Sequence, residues 1–282
     1  MAETTTAAAM AATNVTMSYR TRRGDTVVAL DDVSLDVRRG EFLSLIGPSG
    51  CGKSTLLYIL GGLRKQTSGE VTLEGERVTG PTPRKVGFVF QDYTLFPWRT
   101  IISNVEVGLE FRGTGKRERR ERAERNLDLV GLGAFANAYP SELSGGMQQR
   151  VAIARALSLD PDILLMDEPF GALDEQTRTV LGEELARILE KTGKTIVFVT
   201  HSLSEAAYLS DRVVVMSARP GRIKEILPVD EPRPRGDGFS TSAAFNDLRN
   251  GLFDLLHEEV RAATLAEMNP GQASGKGGGR RG

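Results

Sequence analysis

"GPSGCGKST", residues 47–55, lies between the apolar run "EFLSLI" and "KSTLLYILGGL", a stretch with the composition of a helix. It fits the pattern G-x-x-x-x-G-K-[ST] in the context that this pattern requires, after a strand and at the start of a helix. Glycines let the backbone curl tightly, so successive N–H groups point into one concavity at the N-terminus of the helix. The stretch predicts a phosphate-binding loop; a glycine-rich turn with an accidental lysine is the weaker alternative.

The residue types in this loop predict individual roles. We expect Lys53 to meet the terminal phosphates as a point charge, Ser54 to ligate Mg²⁺, and Thr55 to add a hydroxyl near the α-phosphate. For Cys51 a small buried filler is favoured over a reactive thiol, although an electropositive loop acts to lower the pKa of a thiol. The predicted nucleotide-binding residues of the loop are Gly47, Pro48, Ser49, Gly50, Cys51, Gly52, Lys53, Ser54 and Thr55.

Outward from the loop, strand and helix patterns alternate. Short apolar or β-branched runs bounded by Gly, Pro and charge predict strands, and from residue 161 to 217 such runs alternate with helical segments. This alternation predicts a parallel sheet covered by helices on both faces. Residues 92–160 carry helical patterns and no convincing strand, so they are predicted to be a helical insertion. The predicted strands are "NVTMSY", "VVALDDVSLDV", "EFLSLI", "EVTLEG", "VGFVF", "DILLMDEP", "KTIVFVTH" and "DRVVVMS".

Composition excludes several classes. The 282 residues carry 36 Lys and Arg against 37 Asp and Glu, a net charge of -1, so nothing global favours nucleic acid or anionic lipid. The block at 116–125 alternates in sign and is interpreted as a solvated helix face. A single cysteine excludes internal disulfides and fits a reducing compartment. Because neither a signal peptide nor a run of about 18 apolar residues is evident, we expect a cytoplasmic protein.

The apolar run "ILLMDEP" ends in two adjacent carboxylates, Asp167 and Glu168. A strand of the same sheet would deliver them beside the phosphate-binding loop. Asp167 is then placed to hold Mg²⁺ through water, and Glu168 to polarise an attacking water as general base. A strand that ends in acids by chance is the alternative, and the loop upstream weakens it. The loop alone leaves kinases, GTPases and ATPases open, whereas the carboxylate pair favours hydrolysis.

"LSGGMQQRVAIARAL", residues 143–157, resembles the signature motif of the ABC transporter ATPases, with Met147 in place of the usual Gln. Ser144, Gly145 and Gly146 open a helix, which makes a second phosphate-binding surface in the chain. For "SGG" alone an ordinary N-cap is equally expected, since Ser is a favoured cap. The resemblance implies a head-to-tail dimer in which each nucleotide lies between Lys53 of one subunit and Ser144 of the other.

The resemblance also implies roles for single residues. Tyr19 resembles the aromatic residue that stacks on adenine, with a strand-end tyrosine as the alternative. Gln91 resembles the glutamine that reaches Mg²⁺ and the water, and Asp174, in "GALD", the polar residue of a loop that touches the opposite subunit. His201 resembles the switch histidine on the γ-phosphate, whereas His257 is predicted to be a helix-surface residue.

The fold class predicted on this basis is α/β, a P-loop NTPase sheet core of ABC type with an antiparallel β subdomain and a helical insertion. The Ala- and Thr-rich N-terminus and the Gly-rich C-terminus are predicted to be flexible. The predicted divisions are a flexible N-terminus 1–11, an ATPase core 12–91 and 161–228, a helical subdomain 92–160, a linker and helix 229–268, and a disordered tail 269–282.

"LFPWRTIISNVEVGL", from Leu95, further resembles the import subgroup for nitrate, sulfonates, taurine and related small anions. Phe96 and Trp98 are expected to anchor a partner, with packing inside the insertion as the alternative. The resemblance implies a protein that binds ATP and Mg²⁺, pairs with a second ATPase subunit, and lies on the inner face of the cell membrane, where it energises a separate permease. A periplasmic or extracellular substrate-binding protein is expected to belong to the same system. An exporter subunit and a soluble ABC ATPase acting without a permease are the alternatives.

Overall fold

The computed structural model describes residues 8–21, 23–171, 173–236 and 238–268. The described part of the chain contains ten β-strands and seven α-helices. The strands are β1 (Ala8–Arg20), β2 (Thr26–Arg38), β3 (Phe42–Ile46), β4 (Ser68–Leu73), β5 (Glu76–Arg77), β6 (Val86–Val89), β7 (Ile163–Asp167), β8 (Thr195–Val199), β9 (Arg212–Met216) and β10 (Ile223–Pro228). The helices are α1 (Lys53–Leu60), α2 (Ile101–Phe111), α3 (Lys116–Leu129), α4 (Gly145–Ser158), α5 (Glu175–Thr192), α6 (Leu203–Leu209) and α7 (Ala243–Met268).

The larger sheet has six strands in the order β10-β9-β3-β8-β7-β6. The predicted parallel sheet is confirmed for five of them, β9, β3, β8, β7 and β6, which pair parallel with one another. Strands β3, β7, β8 and β9 are buried at every residue, as expected of parallel strands with helices on both faces. The edge strand β10, which the sequence patterns do not reveal, pairs antiparallel with β9.

A second sheet of four antiparallel strands, in the order β2-β1-β4-β5, confirms the predicted β subdomain. The prediction of a flexible terminus was wrong for residues 8–11, because they form the start of β1 between β2 and β4. Met10 is buried there, and the remaining N-terminal residues lie outside the described part of the chain. The apolar faces of this sheet and of α1 share one core, which includes Val33, Leu35 and Leu56.

Helices α2, α3 and α4 pack together and form the predicted helical insertion. Helix α3 buries only Ala123 and Leu127, and its other side is covered with charge. Arg117 pairs with Glu121 at 2.8 Å, one of the i,i+4 ion pairs on this solvated face. The interpretation of residues 116–125 as a solvated helix surface is therefore confirmed.

The C-terminal segment is fastened to the main sheet. The buried guanidinium of Arg235 donates to the carbonyls of Glu231 and Ser210, at 2.9 and 2.6 Å, and so ties the predicted linker to the end of α6. Burial lowers the pKa of Arg235 to about 10. His257 is exposed on α7, as predicted for a helix-surface residue, and its ring stacks on that of Phe253 with centroids 5.6 Å apart. None of the described helices is long and apolar enough to span a bilayer.

Candidate functional site

Three parallel strands bring the predicted site residues to one edge of the sheet. The phosphate-binding loop follows β3, Asp167 ends β7, and His201 comes two residues after β8, which lies between those strands. In the register of the sheet, Leu45 and Asp167 both pair with Val199. The loop and the two side chains therefore emerge at the same level, at the carboxyl edge where ligands bind in open α/β sheets.

The loop has the tight backbone that its glycines predict. Gly50 and Gly52 have φ angles of 74° and 108°, in the region that favours glycine. A β-carbon on Gly52 would lie 2.6 Å from a methyl carbon of Leu30, so only glycine fits there. The buried Lys53 ammonium donates to the carbonyls of Gly47 and Pro48, at 2.9 and 3.1 Å. Its charge is thereby held over the concave side of the loop.

Cys51 is a buried filler. Its side chain is 1% exposed, and burial raises the pKa of its thiol despite the nearby charge of Lys53. Because the thiolate is the reactive form, this environment suppresses reactivity at neutral pH. The structure thus agrees with the favoured interpretation of this residue.

Asp167 accepts two hydrogen bonds that orient its carboxylate. Ser54 Oγ donates to Oδ1 at 2.8 Å, and Tyr58 Oη donates to Oδ2 at 2.8 Å. Ser54 and Asp167 thus present a hydroxyl and a carboxylate side by side, the hard oxygen donors that Mg²⁺ takes together with substrate phosphates. The donor set fits a magnesium ion, and Ser54 and Asp167 are the residues that would hold it.

Tyr58 belongs to an aromatic cluster beneath the loop that carries Gln91. Its ring centroid lies 6.2 Å from that of Phe88 and 6.4 Å from that of Phe90. Burial first, and then the hydrogen bond to Asp167, raise the pKa of Tyr58 to about 12. The phenol is therefore a neutral donor to Asp167 throughout the physiological pH range.

Glu168 stands in a strained backbone conformation at the mouth of the site. Its φ angle is 43°, in the left-handed region that non-glycine residues seldom adopt. Two main-chain hydrogen bonds hold it there, from its N–H to Val199 and from Gly171 to its carbonyl, at 2.9 and 3.0 Å. His201 Nδ1 lies 3.4 Å from Glu168 Oε2. Such strain persists where the surroundings enforce it, and it places this carboxylate beside the phosphate-binding loop.

One pocket contains most of the predicted nucleotide-binding residues. Its wall is formed by Tyr19, Ala29, Ser49, Gly50, Gly52, Lys53, Ser54, Thr55, Glu168 and Arg219. The Tyr19 hydroxyl lies 3.4 Å from Thr55 Oγ1, and the guanidinium of Arg64 covers one face of the Tyr19 ring at 5.3 Å from the centroid. Arg64 also donates to the Tyr19 hydroxyl. The tyrosine is thus fixed at the side of the pocket.

Gln91 is not brought into this pocket. It is exposed two residues after β6, and within the described chain no hydrogen bond joins it to Asp167 or Glu168. The loop that follows it is nevertheless held firmly. Arg155 of α4 donates to the carbonyls of Tyr93 and Thr94, at 2.9 and 2.7 Å. These hydrogen bonds join the signature helix α4 to the loop that follows Gln91.

The signature residues stand at the start of α4, outside the described lining of the pocket. Ser144 caps α4, its hydroxyl accepting from Met147 N at 3.4 Å, and its side chain is exposed. A β-carbon on Gly145 would lie 3.0 Å from the Tyr93 hydroxyl, and one on Gly146 would lie 3.3 Å from Leu181. None of Ser144, Gly145, Gly146 and Met147 is among the described residues that line the pocket.

Asp174 caps α5. Its two carboxylate oxygens accept from the N–H and the hydroxyl of Thr177, at 2.9 and 2.7 Å. These hydrogen bonds lower the pKa of Asp174. In the folded chain Asp174 is thus an ionised N-cap, a role that the sequence reasoning did not assign to it.

An ion pair joins the Asp174 loop to the His201 loop. Arg178 donates to the carbonyl of Leu173 at 3.1 Å and lies 3.4 Å from Glu205. Glu205 in turn accepts from the hydroxyl of Thr200, the residue before His201. Burial raises the pKa of Glu205, and this effect outweighs the hydrogen bond and the charge of Arg178.

Sequence reasoning missed Tyr58, Arg155, Arg178, Glu205 and Arg219. Helical spacing carries a signal for Tyr58, because residues four apart on a helix share a face and Tyr58 is four residues after Ser54 on α1. Arg219 has no such signal, since it enters the pocket from a hairpin far along the chain.

Comparisons with known proteins agree with this geometry. Residues 30–171 match the family model described as ABC transporter. An uncharacterised ABC transporter ATP-binding protein of Methanocaldococcus jannaschii is 55% identical over 237 residues, 84% of this chain and 87% of that protein. The taurine import ATP-binding protein TauB of Rhizobium johnstonii is 48% identical over 252 residues, 87% of this chain and 96% of that protein.

A solved structure shares the fold as well. A dimeric ATP-binding cassette in a post-hydrolysis state, bound to ADP and phosphate, superimposes with a TM-score of 0.70 at 38% identity. The match covers 79% of this chain and 100% of that structure. Together with the phosphate-binding loop and the carboxylates at the strand ends, these matches show that the chain belongs to the ABC transporter family and is one of its ATPases.

Proposed function

We propose that this chain is the ATP-binding and ATP-hydrolysing subunit of an importer for a small anion, and that it works as a dimer on a separate membrane permease. The observation that carries the ATPase part is the convergence of Lys53, Asp167, Glu168 and His201 at one edge of the sheet. Fold and family membership support the reaction, and the roles of the single residues are part of the proposal.

In the proposed reaction Lys53 and the loop N–H groups hold the phosphates, and Tyr19 stacks on adenine. Glu168 takes a proton from the water, whose oxygen bonds to the γ-phosphorus while the bond from that phosphorus to the leaving oxygen of ADP breaks. His201, whose Nδ1 lies 3.4 Å from Glu168 Oε2, donates to the γ-phosphate. Ser54 and Asp167 would hold Mg²⁺, which would supply positive charge to the phosphate oxygens. Gln91 joins these groups only when its loop moves inward, because it lies outside the pocket.

We propose a dimer because the pocket of one chain contains the phosphate-binding loop but not the signature residues around Ser144. The exposed Ser144 and the N-terminus of α4 form a site suited to an anion, yet they do not line the pocket of their own chain. A second copy in head-to-tail arrangement would bring its Ser144 to the nucleotide held by Lys53. Asp174, at the start of α5, is proposed to meet that second copy.

Glu168→Gln tests the proposed reaction. Loss of the general base is expected to lower ATP turnover by about 100- to 10,000-fold while ATP still binds. With ATP bound but not hydrolysed, the dimer should accumulate, which light scattering after size-exclusion chromatography would detect. Glu118→Gln, on the solvated face of α3, is the control and should leave both properties unchanged. Undiminished hydrolysis by the Glu168 variant would refute the assigned base.

A rigid aromatic surface supports the proposal of a membrane partner. Trp98 is 72% exposed and packs against Phe96, with the two rings tilted by 53° and their centroids 5.5 Å apart. The buried Asn104 holds their loop by accepting from Phe96 N at 2.7 Å and donating to the carbonyls of Phe96 and Arg99, at 3.1 Å each. A large aromatic side chain kept exposed by a buried network is typical of a binding anchor.

The import of nitrate, a sulfonate, taurine or a similar anion is proposed from the resemblance of residues 95–109 and from the taurine importer among the relatives. We expect the full chain to co-purify with a permease from its own membranes. Trp98→Ala should break that association. Phe111→Ala changes an aromatic residue at the end of α2 that is 83% exposed, and it should not. Retention of the permease by the Trp98 variant would exclude this docking surface.

In vesicles that contain the permease and the binding protein, nitrate, a sulfonate and taurine would then be compared for their stimulation of ATP turnover. Stimulation by one of them supports import of that class. Stimulation only by apolar compounds offered from the ATPase side would instead indicate an exporter.

A further inference from the structure

A guanidinium without a partner stands at the rim of the nucleotide pocket. Arg219 lines the pocket together with the phosphate-binding loop, and a β-carbon on Gly50 would lie 3.9 Å from its Nη2 atom. The side chain is exposed, and within the described part of the chain it makes no hydrogen bond or ion pair. The neighbouring Arg222, by contrast, is committed to Asp31, to which its Nε donates at 3.0 Å.

The hairpin that carries Arg219 is docked against the loop itself. It joins β9 to β10, and Gly221 at its tip exchanges hydrogen bonds with β2, donating to Ala29 at 2.9 Å and accepting from Asp31 at 3.0 Å. A β-carbon on Gly221 would lie 2.0 Å from the carbonyl oxygen of Cys51, so only glycine allows this approach. The position of Arg219 over the loop is therefore built into the backbone.

The C-terminal helix α7 supplies another anchor. Glu259 accepts from the main-chain N–H of Ala218, the residue before Arg219, at 2.8 Å. Its other oxygen lies 3.0 Å from Lys224 of β10. Glu258 also pairs with Lys224, at 2.7 Å, but among the described residues no hydrogen bond or ion pair joins it to residues 217–222. Glu259 thus links α7 to the backbone that carries Arg219.

We propose that Arg219 is a further binding residue for the phosphate chain of the nucleotide, and that Glu259 of α7 is a positioning residue for it. This inference rests on the proposed nucleotide site. Guanidinium groups bind phosphate through paired N–H donors, and the pocket already collects N–H groups and Lys53 for an anion. The proposal gives the C-terminal helix a role in nucleotide affinity.

The binding of a non-hydrolysable ATP analogue with Mg²⁺ to the full chain tests Arg219. Arg219→Ala should weaken binding by about 5- to 10-fold, as for a charged hydrogen bond at an exposed site, and the deficit should shrink as salt is added. Arg219→Lys should restore part of the affinity. Arg222→Ala on the same hairpin is the control and should bind as the wild type does. Equal affinities for the Arg219 and Arg222 variants would overturn the inference.

The role of Glu259 is tested by the coupling between the two residues. Glu259→Ala should weaken binding by about 2- to 3-fold, as for loss of one neutral-donor hydrogen bond, and Glu259→Gln, which keeps an acceptor, should not. Glu258→Ala breaks an ion pair to the same lysine and should have no effect. In the Arg219→Ala background the Glu259→Ala change should cost nothing further. An additive loss would show that Glu259 does not act through Arg219.

Lys53→Ala separates this inference from the proposed site. If Lys53→Ala loses binding and Arg219→Ala does not, only the inference about Arg219 fails. If Lys53→Ala binds the analogue as the wild type does, the proposed nucleotide site itself is wrong.

Discussion

The phosphate-binding loop and the signature helix both present main-chain N–H groups at a helix start, yet their surroundings differ. At the first, Lys53 is buried and satisfied, and Ser54 is hydrogen-bonded to Asp167. At the second, Ser144 is exposed and only caps its own helix. One is enclosed by its own chain, and the other is open to solvent.

We propose that this difference separates nucleotide binding from nucleotide hydrolysis. A nucleotide can be recognised by groups that one chain already holds in place. The open helix start contributes only when something brings a phosphate to it, which we propose to be a second copy. Changes at the loop should therefore affect binding by a single chain, and changes at Ser144 should affect only hydrolysis.

Ser144→Asp is the strongest test of this separation. Asp is as good an N-cap as Ser, so helix α4 and the stability of the fold should be preserved. Its negative charge would face the γ-phosphate in the proposed dimer, and ATP turnover should fall by at least about 100-fold, the effect of losing one oxyanion-type donor. ADP binding by the monomer, measured by calorimetry, should stay within twofold of the wild type.

Ser144→Thr, which keeps both cap and neutrality, is the control for that experiment and should retain most of the turnover. If Ser144→Asp lowers ADP binding by the monomer, the two helix starts are not independent and the comparison fails.

Much of the fold follows from local pattern, and the exceptions have physical causes. The buried strands β7 and β8 were predictable because parallel strands are apolar on both faces. The start of β1 was not, because "AAMA" has no strand preference of its own, and its pairing with β2 and β4 decides its conformation. Strand β10 was not predictable, because it is an edge strand with exposed Lys224 and Glu225 and therefore lacks the continuous apolar run of a buried strand.

The site divides in the same way. Lys53 and Ser54 were predictable because they lie in one short pattern, and Asp167 because it ends an apolar strand predicted for the same sheet. Arg219 was not predictable. It lies 169 residues after Gly50 in the sequence, and the hairpin between β9 and β10 brings it to the loop. The position of Gln91 outside the pocket was also beyond the sequence, since it depends on how Arg155 holds the following loop.

Tyr58→Phe sharpens the comparison within the loop. The change removes the hydrogen bond to Asp167 Oδ2 and keeps the ring that packs on Phe88 and Phe90. A freer carboxylate should hold Mg²⁺ less well, and we expect the Mg²⁺ concentration for half-maximal ATP turnover to rise by about 3- to 10-fold, as for one lost hydrogen bond to a charged group.

Calorimetric titration of the ADP complex with Mg²⁺ should show the same shift without turnover. Because the pKa of Tyr58 is about 12, its effect should not change between pH 6 and 9. Tyr139→Phe, a change of an exposed tyrosine outside the pocket, is the control. An unchanged magnesium requirement in the Tyr58 variant would mean that Ser54 alone orients the carboxylate.

The smallest expected effect is a change in Tm caused by Glu205→Gln. Glu205 links the loop of Asp174, through Arg178, to the loop of His201, through Thr200. Burial raises the pKa of Glu205 above its ordinary 4.5, so the native chain keeps this proton to a higher pH than the unfolded chain does. The free energy of unfolding therefore falls as pH rises through the raised pKa. The neutral Gln removes this slope and still accepts from Thr200. Its Tm should match the wild type near pH 4.5 and exceed it by a few degrees at pH 8.

Glu258→Gln is the matched control for that measurement, because its pKa is lowered by Lys224 and the sign reverses. Its ion pair stabilises the fold above the ordinary pKa and is lost as the pH falls, so Gln should reduce the Tm at pH 8 slightly and have no effect at low pH. Thermal unfolding across this pH range distinguishes the two signs. The contrary outcome is a Glu205 variant whose Tm depends on pH as that of the wild type does. The charged Glu205 carboxylate would then be fully stabilised by Arg178, which lies 3.4 Å from it, and burial would not control its ionisation.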